Sequence, residues 1–216
     1  MVATRIIAIR HGETAWNVET RIQGQLDIDL NDKGRWQAMR VAQALADEHI
    51  DRIYASDLSR ARATAQAIAQ RTSHPPAQTV QLHPGLRERG FGTFEGQTYA
   101  EIEAQWPDAS RRWRQRDPDF SPPGGETPTQ VMRRVSDTLN LLAHPHLGQQ
   151  IVLVAHGGVM DMLYRLATQQ GVDTPRSWEL GNAAINRLLW TPDGVTLVGW
   201  SDTRHLDGAS MDEISA

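Results

Sequence analysis

The stretch Ile6-Ile7-Ala8-Ile9-Arg10-His11-Gly12-Glu13-Thr14 decides the fold. A short apolar run stops abruptly at a cation, an imidazole and a glycine. Such a run reads as a buried strand. It delivers Arg10 and His11 to the carboxyl end, where open α/β sheets place their ligand crevice. Gly12 lets the backbone turn there and approach a ligand closely. The pattern recurs far along the chain. Gln150-Ile151-Val152-Leu153-Val154-Ala155, apolar on both faces, runs into His156-Gly157-Gly158. In a parallel sheet both histidines fall on one edge, and strands about 5 Å apart let them face a common pocket. A third strand, Arg52 to Ser56, leads to Arg60 in the first turn of a helix. There a guanidinium and free backbone N–H groups can both meet an anion.

Around these strand ends the chain alternates. Ala38, Val41, Ala42 and Leu45 lie at i, i+3, i+4 and i+7, one face of a helix. Asp57-Leu58-Ser59-Arg60 opens an Ala-rich helix through about Gln70, with capping chemistry at its start. Val80 and Leu82 suggest a short strand, and Leu86 to Gly96 a loop. Tyr99 to Trp106 and Ser110 to Gln115 read as short helices. Asp117 to Pro128 holds four prolines and two glycines, so it is a long connection of the kind that often walls a site. Val131, Val135, Leu139 and Leu142 mark an amphipathic helix, and a further helix spans Val159 to Thr168. Ala184 to Trp190 and Val195 to Trp200 form a hairpin around Pro192-Asp193-Gly194. The class is therefore α/β: a three-layer sandwich whose mostly parallel central sheet is flanked by helices. Residues 1–206 are expected to form a single domain with a helical and loop insertion over about 86–127. Residues 207–216 read as a polar, mobile tail.

Composition narrows the function. The 216 residues are 39% hydrophobic and 22% charged, as in a soluble globular protein. The net charge of −4 gives no basic field for nucleic acid. There is no cysteine, which removes disulfides and thiolate nucleophiles and fits the cytoplasm. The N-terminus runs straight into the first strand, with no signal-peptide pattern. No apolar run approaches the roughly 18 residues of a membrane span.

An acidic protein with Arg10, His11, Arg60 and His156 at one sheet edge presents a compact cationic pocket. Arginine forks suit phosphate oxygens. A neutral histidine can attack phosphorus, and two nearby arginines disfavour the imidazolium and keep the ring nucleophilic. They would also stabilise charge on the transferring phosphoryl group. The second histidine can hydrogen-bond the same group. A proton donor for the leaving oxygen is still needed, and Glu13 and Glu88 are the candidates. Glu13 could equally brace the turn. Glu88, in a separate loop, could approach from the opposite side, and a carboxyl beside bound phosphate holds its proton more readily.

At this point the chain resembles the histidine phosphatase superfamily, also called phosphoglycerate-mutase-like. Six segments fall in the family's order. They are Arg10 to Thr14 with Asn17, Arg21-Ile22-Gln23-Gly24, Ser56 to Ala61, Leu86-Arg87-Glu88 with Phe91 to Gly96, Pro123 to Thr127, and Val154 to Gly158. The resemblance implies that His11 is transiently phosphorylated and Glu88 is the proton donor. It implies that Arg10, Arg60 and His156 complete the phosphate pocket, with Asn17 and Gly157 as further contacts. Gln23 and Gly24 would line the adjacent substrate space. It implies two phosphoryl transfers, to His11 and then to water, with no metal and no cofactor. The short middle segment and Pro-Gly-Gly-Glu-Thr resemble the phosphatase branch, which hydrolyses small phosphomonoesters. Phosphoglycerate mutase-type transfer and a non-catalytic phospholigand sensor are the alternatives. The expected partner is a small phosphorylated metabolite, without nucleic acid or membrane, and a homodimer is compatible with the sequence. Phe91, Trp106, Trp113 and the arginines 111, 112, 114 and 116 are the candidates for substrate choice. As a charge run, however, Arg111 to Arg116 reads first as a solvated helix face. The histidines outside the two strand ends, among them His74 and His146, read as surface residues.

Overall fold

The computed structural model describes residues 2–73 and 75–207, apart from the side chains of 75 and 76. His74 and the tail beyond Asp207 lie outside the described residues. Six strands form one sheet: β1 (Thr4–Arg10), β2 (Arg52–Ala55), β3 (Val80–Leu82), β4 (Gln150–Ala155), β5 (Ile185–Thr191) and β6 (Gly194–Asp202). Their order is β3-β2-β4-β1-β5-β6. β1, β2, β3 and β4 pair parallel, while β5 runs antiparallel to β1 and turns back into β6. The two histidine-terminated strands are direct neighbours, with Arg10 opposite Ala155. That register sets His11 beside His156.

The helices are α1 (Ala15–Val18), α2 (Asp32–Ala44), α3 (Ser59–Arg71), α4 (Tyr99–Gln105), α5 (Pro107–Arg114), α6 (Pro128–Ala143) and α7 (Gly157–Thr168). Strand alternation explains the layers. Ile6 and Ala8 of β1, with Ile151, Leu153 and Ala155 of β4, pack against Val131, Val135 and Leu139 of α6 and Val159 and Leu163 of α7. Ile7, Ile9, Val152 and Val154 face the other way, onto Val41 and Leu45 beside α2 and Ala61, Ala65 and Ile68 of α3. Two buried faces account for the apolar runs in β1 and β4. A third cluster, Ile22, Phe94, Ile102 and Phe120 with Trp106 and Trp113 against it, gives the middle segment its own small core.

Some local expectations change. Asp57 does not cap α3. Its N-cap, Leu58, makes no side-chain bond, and Asp27 Oδ1 accepts the Ser59 N–H at 2.7 Å from another loop. α7 begins at Gly157 rather than Val159, with His156 in extended backbone at its N-cap. Just past β1 a Thr14–Asn17 capping box starts the single turn of α1, which the sequence reading did not assign. His146 is buried rather than exposed: it meets Tyr54 Oη at 2.9 Å and Gln149 Oε1 at 2.6 Å. Polar neighbours in a short loop gave no sign that the sheet's far end closes over that ring.

Candidate active site

The carboxyl ends of β1, β2 and β4 open into a cleft of about 810 Å3. Arg10, His11, Asn17, Gln23, Gly24, Arg60, Glu88 and Gly157 line it. His156 lies behind His11, fully buried, with the two ring centroids 5.2 Å apart.

His11 leaves β1 where Gly12 turns the chain. Its Nδ1 lies 2.6 Å from the Gly12 carbonyl. A carbonyl only accepts, so Nδ1 carries the proton and Nε2 keeps its lone pair. Burial holds the His11 ring well below the usual histidine pKa, and Arg60 and Arg10 depress it further. The imidazole is therefore neutral. His156 is depressed likewise, by burial first and then by Arg60, His11, Arg10 and Arg134. Among the described residues, neither of its ring nitrogens has a hydrogen-bond partner. Buried polar groups normally find partners, so a ring left open beside a cationic cleft is poised for an incoming oxygen.

The arginines are anchored by carbonyls and form no direct ion pair among the described residues, although Glu88 lies close enough to favour both charges. Arg60 donates through Nη1 to Leu26 O and through Nη2 to Gly24 O, each at 2.8 Å. Arg10 donates through Nη1 to Leu180 O. The Nε of each is buried without a partner among the described residues. Two fixed guanidiniums beside two neutral imidazoles attract an oxyanion and repel a cation.

Glu88 arrives from the loop after β3. It accepts from Gly158 N at 3.0 and 3.1 Å and from Arg89 N at 2.8 Å, so it sits on the first turn of α7. Arg134 braces that loop by donating to the carbonyls of Gly85 and Arg87 and pairing with Glu126 at 2.7 Å. Glu126 in turn accepts Gly90 N at 2.7 Å. The Pro-Gly-Gly-Glu-Thr segment thus acts as a strut for the Glu88 loop. Glu13 is structural: it accepts from Asn31 at 3.0 Å and Lys33 at 2.9 Å.

Asn17 lines the cleft, but its Oδ1 serves the capping box, accepting Thr14 N at 3.0 Å. The run 111–116 divides. Arg111 and Arg112 are exposed and pair with Asp108 and Asp117, as a solvated face should. Arg114 and Arg116 line the cleft instead, as does Trp113. Trp106 packs into the small core and does not line the cleft. Arg116 has φ +56°, a left-handed turn just past α5 that carries it inward to Asp161 at 2.9 Å. Sequence periodicity could not reveal that turn.

Other residues of the site carry no motif. Asn182 donates to the His11 carbonyl at 2.9 Å, and Thr64 Oγ1 accepts Gly12 N at 3.1 Å. Tyr99 and Arg176 stand on the cleft wall. The segment 169–184, without strand or helix, closes one side. Its mixture of glycine, proline and charged residues was the available signal.

A doubly covered α/β sheet whose strand ends gather two arginines and two neutral histidines defines a phosphoryl-handling enzyme. The model of the histidine phosphatase superfamily (branch 1) matches residues 6–203, and the chain belongs to that family. It is 38% identical to phosphoglycerate mutase-like protein 4 of Arabidopsis thaliana, over 94% of this chain and 86% of the relative. It is 36% identical to the metal-independent phosphoserine phosphatase of the same plant, over 96% and 85%. The solved mycobacterial glucosyl-3-phosphoglycerate phosphatase in complex with VO3 superposes with TM-score 0.78 at 32% identity. That match covers 92% of this chain and 99% of the other. The chain is a phosphatase of small phosphomonoesters.

Proposed function

We propose that this enzyme hydrolyses phosphomonoesters through a phosphohistidine on His11. The observation that carries the reading is the His11 tautomer: Nδ1–H is held by the Gly12 carbonyl, and Nε2 is left as a neutral nucleophile beside Arg10 and Arg60. In the first step His11 Nε2 bonds to phosphorus and the P–O bond to the leaving alcohol breaks. Glu88 gives its proton to that oxygen. Arg10, Arg60 and His156 hold the three equatorial oxygens, and Asn17 and Gly157 flank them. In the second step water attacks phosphorus and returns a proton to Glu88. The P–N bond then breaks and inorganic phosphate leaves. No step draws on a metal.

The cleft leaves a volume of about 810 Å3 beside His11, so a water can take the place of the departed alcohol, which favours hydrolysis over mutase-type transfer. A sensor would have no use for a carboxyl tethered beside the histidine pair. Gln23 and Gly24 wall the space for the rest of a small phosphorylated metabolite. The relatives named for phosphoserine and glucosyl-3-phosphoglycerate support a substrate of that size. The net charge and the confined cationic pocket disfavour nucleic acid. A cytoplasmic site of action fits the absence of cysteine, and no helix among the described residues is long and apolar enough to cross a membrane. Turnover of 4-nitrophenyl phosphate in chelator, with an acid-labile phosphoenzyme in rapid quench, tests the reading. His11→Ala should lower kcat by about 1,000-fold or more. Wild-type activity in that variant would sink it.

A further inference from the structure

Successive peptide groups follow His11, and each is held by partners from elsewhere in the chain. In the first, Asn182 donates to the His11 carbonyl at 2.9 Å, and the Gly12 N–H donates to Thr64 Oγ1 at 3.1 Å. In the third, Asn31 N donates to the Glu13 carbonyl at 3.0 Å, and the Thr14 N–H donates to Asn17 Oδ1 at 3.0 Å. The middle peptide, between Gly12 and Glu13, differs because one of its partners is the nucleophile. Its carbonyl accepts His11 Nδ1–H at 2.6 Å, and its N–H donates to Gln37 Oε1 at 2.8 Å. Gln37 lies on the buried face of α2, beside Ala38 and Val41, and is 6% exposed. It does not line the cleft. A buried amide is costly unless it is hydrogen-bonded, and the bond this one accepts comes from the turn that carries His11.

The arrangement is a relay. A trans peptide unit is planar, so its C=O and N–H point in opposite directions. An acceptor on the N–H therefore fixes which way the C=O faces, and bonds in such a chain polarise one another. Gly12 has no side chain to resist rotation of this peptide. Turned over, the peptide would present its N–H to His11 Nδ1. That nitrogen would then accept, the ring proton would sit on Nε2, and the lone pair meant for phosphorus would be lost. The orientation of one peptide and the identity of the nucleophilic nitrogen are a single choice.

We propose that Gln37 is a positioning residue for phosphoryl transfer: by holding the Glu13 N–H it keeps the Gly12 carbonyl on Nδ1, and so keeps His11 in its nucleophilic tautomer. The proposal rests on the phosphatase reading above and adds to it a residue that touches neither the substrate space nor the imidazole.

The test reads the ring directly. Nitrogen NMR of protein labelled at histidine, with His11 assigned through the spectrum of His11→Gln, distinguishes a protonated ring nitrogen from a bare one. The wild type should show His11 Nδ1 protonated and Nε2 bare. Gln37→Met removes the acceptor with little change of shape and should move His11 toward the opposite pattern. Its rate of phosphoenzyme formation from 4-nitrophenyl phosphate should fall by about tenfold or more, because a histidine in the wrong tautomer offers no lone pair to the reaction. The Kd for inorganic phosphate should stay within about twofold of wild type, since Arg10 and Arg60 keep their anchors. Gln37→Glu retains an oxygen for the Glu13 N–H in either protonation state, and should keep the wild-type ring pattern and most of the rate. A reversed pattern in the wild type, an unchanged pattern in Gln37→Met, or equal losses of rate and phosphate affinity in that variant overturns the proposal. Should Gln37→Met fail to fold, Gln37→Glu decides: a retained pattern and rate support the proposal, and a reversed pattern overturns it. A ring pattern set by Gln37 in a protein that forms no phosphoenzyme would sink the phosphatase reading and leave the control of the tautomer by Gln37 standing. Phosphoenzyme formation with pattern and rate unmoved in Gln37→Met would do the reverse.

Discussion

The backbone N–H of Gly158 donates to both carboxylate oxygens of Glu88, at 3.0 and 3.1 Å. One loop and one helix start therefore share a single contact, next to the His11–His156 pair. Gly158 also explains why no side chain stands there. A Cβ on it would fall on Glu88 Oε1, far inside van der Waals contact. Gly158→Ala must push the carboxyl off the helix start while leaving its chemistry intact. The expected result is a loss that depends on the leaving group. Alkyl phosphates need a proton at the leaving oxygen and should lose about 100-fold or more in kcat. 4-Nitrophenyl phosphate, whose leaving group departs unprotonated, should lose far less. Steady-state kinetics on the two substrates check this, and Glu88→Gln should show the same split. Equal losses on both would mean that Glu88 is not the proton donor.

Two buried neutral histidines leave a signature in stability. Burial, followed by the field of Arg60, holds both His11 and His156 well below the ordinary histidine value near 6.5. Below about pH 6.5 the unfolded chain takes up protons that the folded chain refuses. Stability should therefore fall as pH falls through that range, by up to about 1.4 kcal/mol per pH unit for each histidine. Above pH 7 both states are neutral and the term vanishes. His11→Gln removes one of the two groups. Its urea-denaturation free energy should decline less steeply between pH 6.5 and 5, by about 1.4 kcal/mol per unit. His205 is depressed too, but it is common to both proteins and cancels. Parallel slopes would mean that His11 is not held neutral.

The turn that carries His11 also depends on a backbone contact. Gly12 and Gly34 face one another: a Cβ on Gly12 would meet the Gly34 carbonyl, and one on Gly34 would meet the Glu13 carbonyl. Gly34 lies in the first turn of α2, whose N-cap Asn31 accepts Gly34 N at 2.7 Å. The Gly12 side has little room to yield, because β1 just before it is hydrogen-bonded on both sides and the Gly12 N–H is itself held by Thr64. Gly34→Ala should cost about 1–3 kcal/mol in overpacking. It should also shift the His11 turn, so that phosphoenzyme formation slows along with the drop in melting temperature. A variant with wild-type stability and burst rate would show that α2 can move freely.

The sequence made the sheet edge legible because the apolar runs and the His-Gly stops are local signals. Arg10, His11, Arg60 and His156 needed only the rule that parallel strands end together. The six ordered segments placed Glu88, Gln23, Gly24 and Gly157 as well, and all four line the cleft. What stayed hidden is set by long-range packing. Gly158 holds Glu88 from 70 residues away, and Asp27 caps α3 from 32 residues before it. Arg116 reads both as part of a solvated charge run and as a candidate for substrate choice, and its own left-handed backbone, invisible to periodicity, turns it inward. Arg176 stands in a segment with no periodicity, so its place on the cleft wall could be recognised only once the fold was known.

The last relationship to be tested ties that segment to the helix behind the site. Asp161, one turn into α7, shares Oδ2 between Arg116 at 2.9 Å and Arg165 at 3.1 Å. Arg165 is fully buried, donates to the carbonyls of Gly171 and Thr174, and lies 4.8 Å over the Trp178 ring. Arg116 also donates to Val172 O at 3.2 Å. One carboxylate thus fixes both arginines that hold the segment against α7. Asp161→Asn leaves a buried guanidinium without its counter-charge, which should cost about 3 kcal/mol and lower the melting temperature by roughly 6–12 °C. The phosphate pocket itself is untouched, but the wall bearing Arg176 slackens. At a temperature where the variant is fully folded, KM for a phosphomonoester long enough to reach that wall should rise more than KM for 4-nitrophenyl phosphate. An equal rise on both substrates would place the role of Asp161 in stability alone.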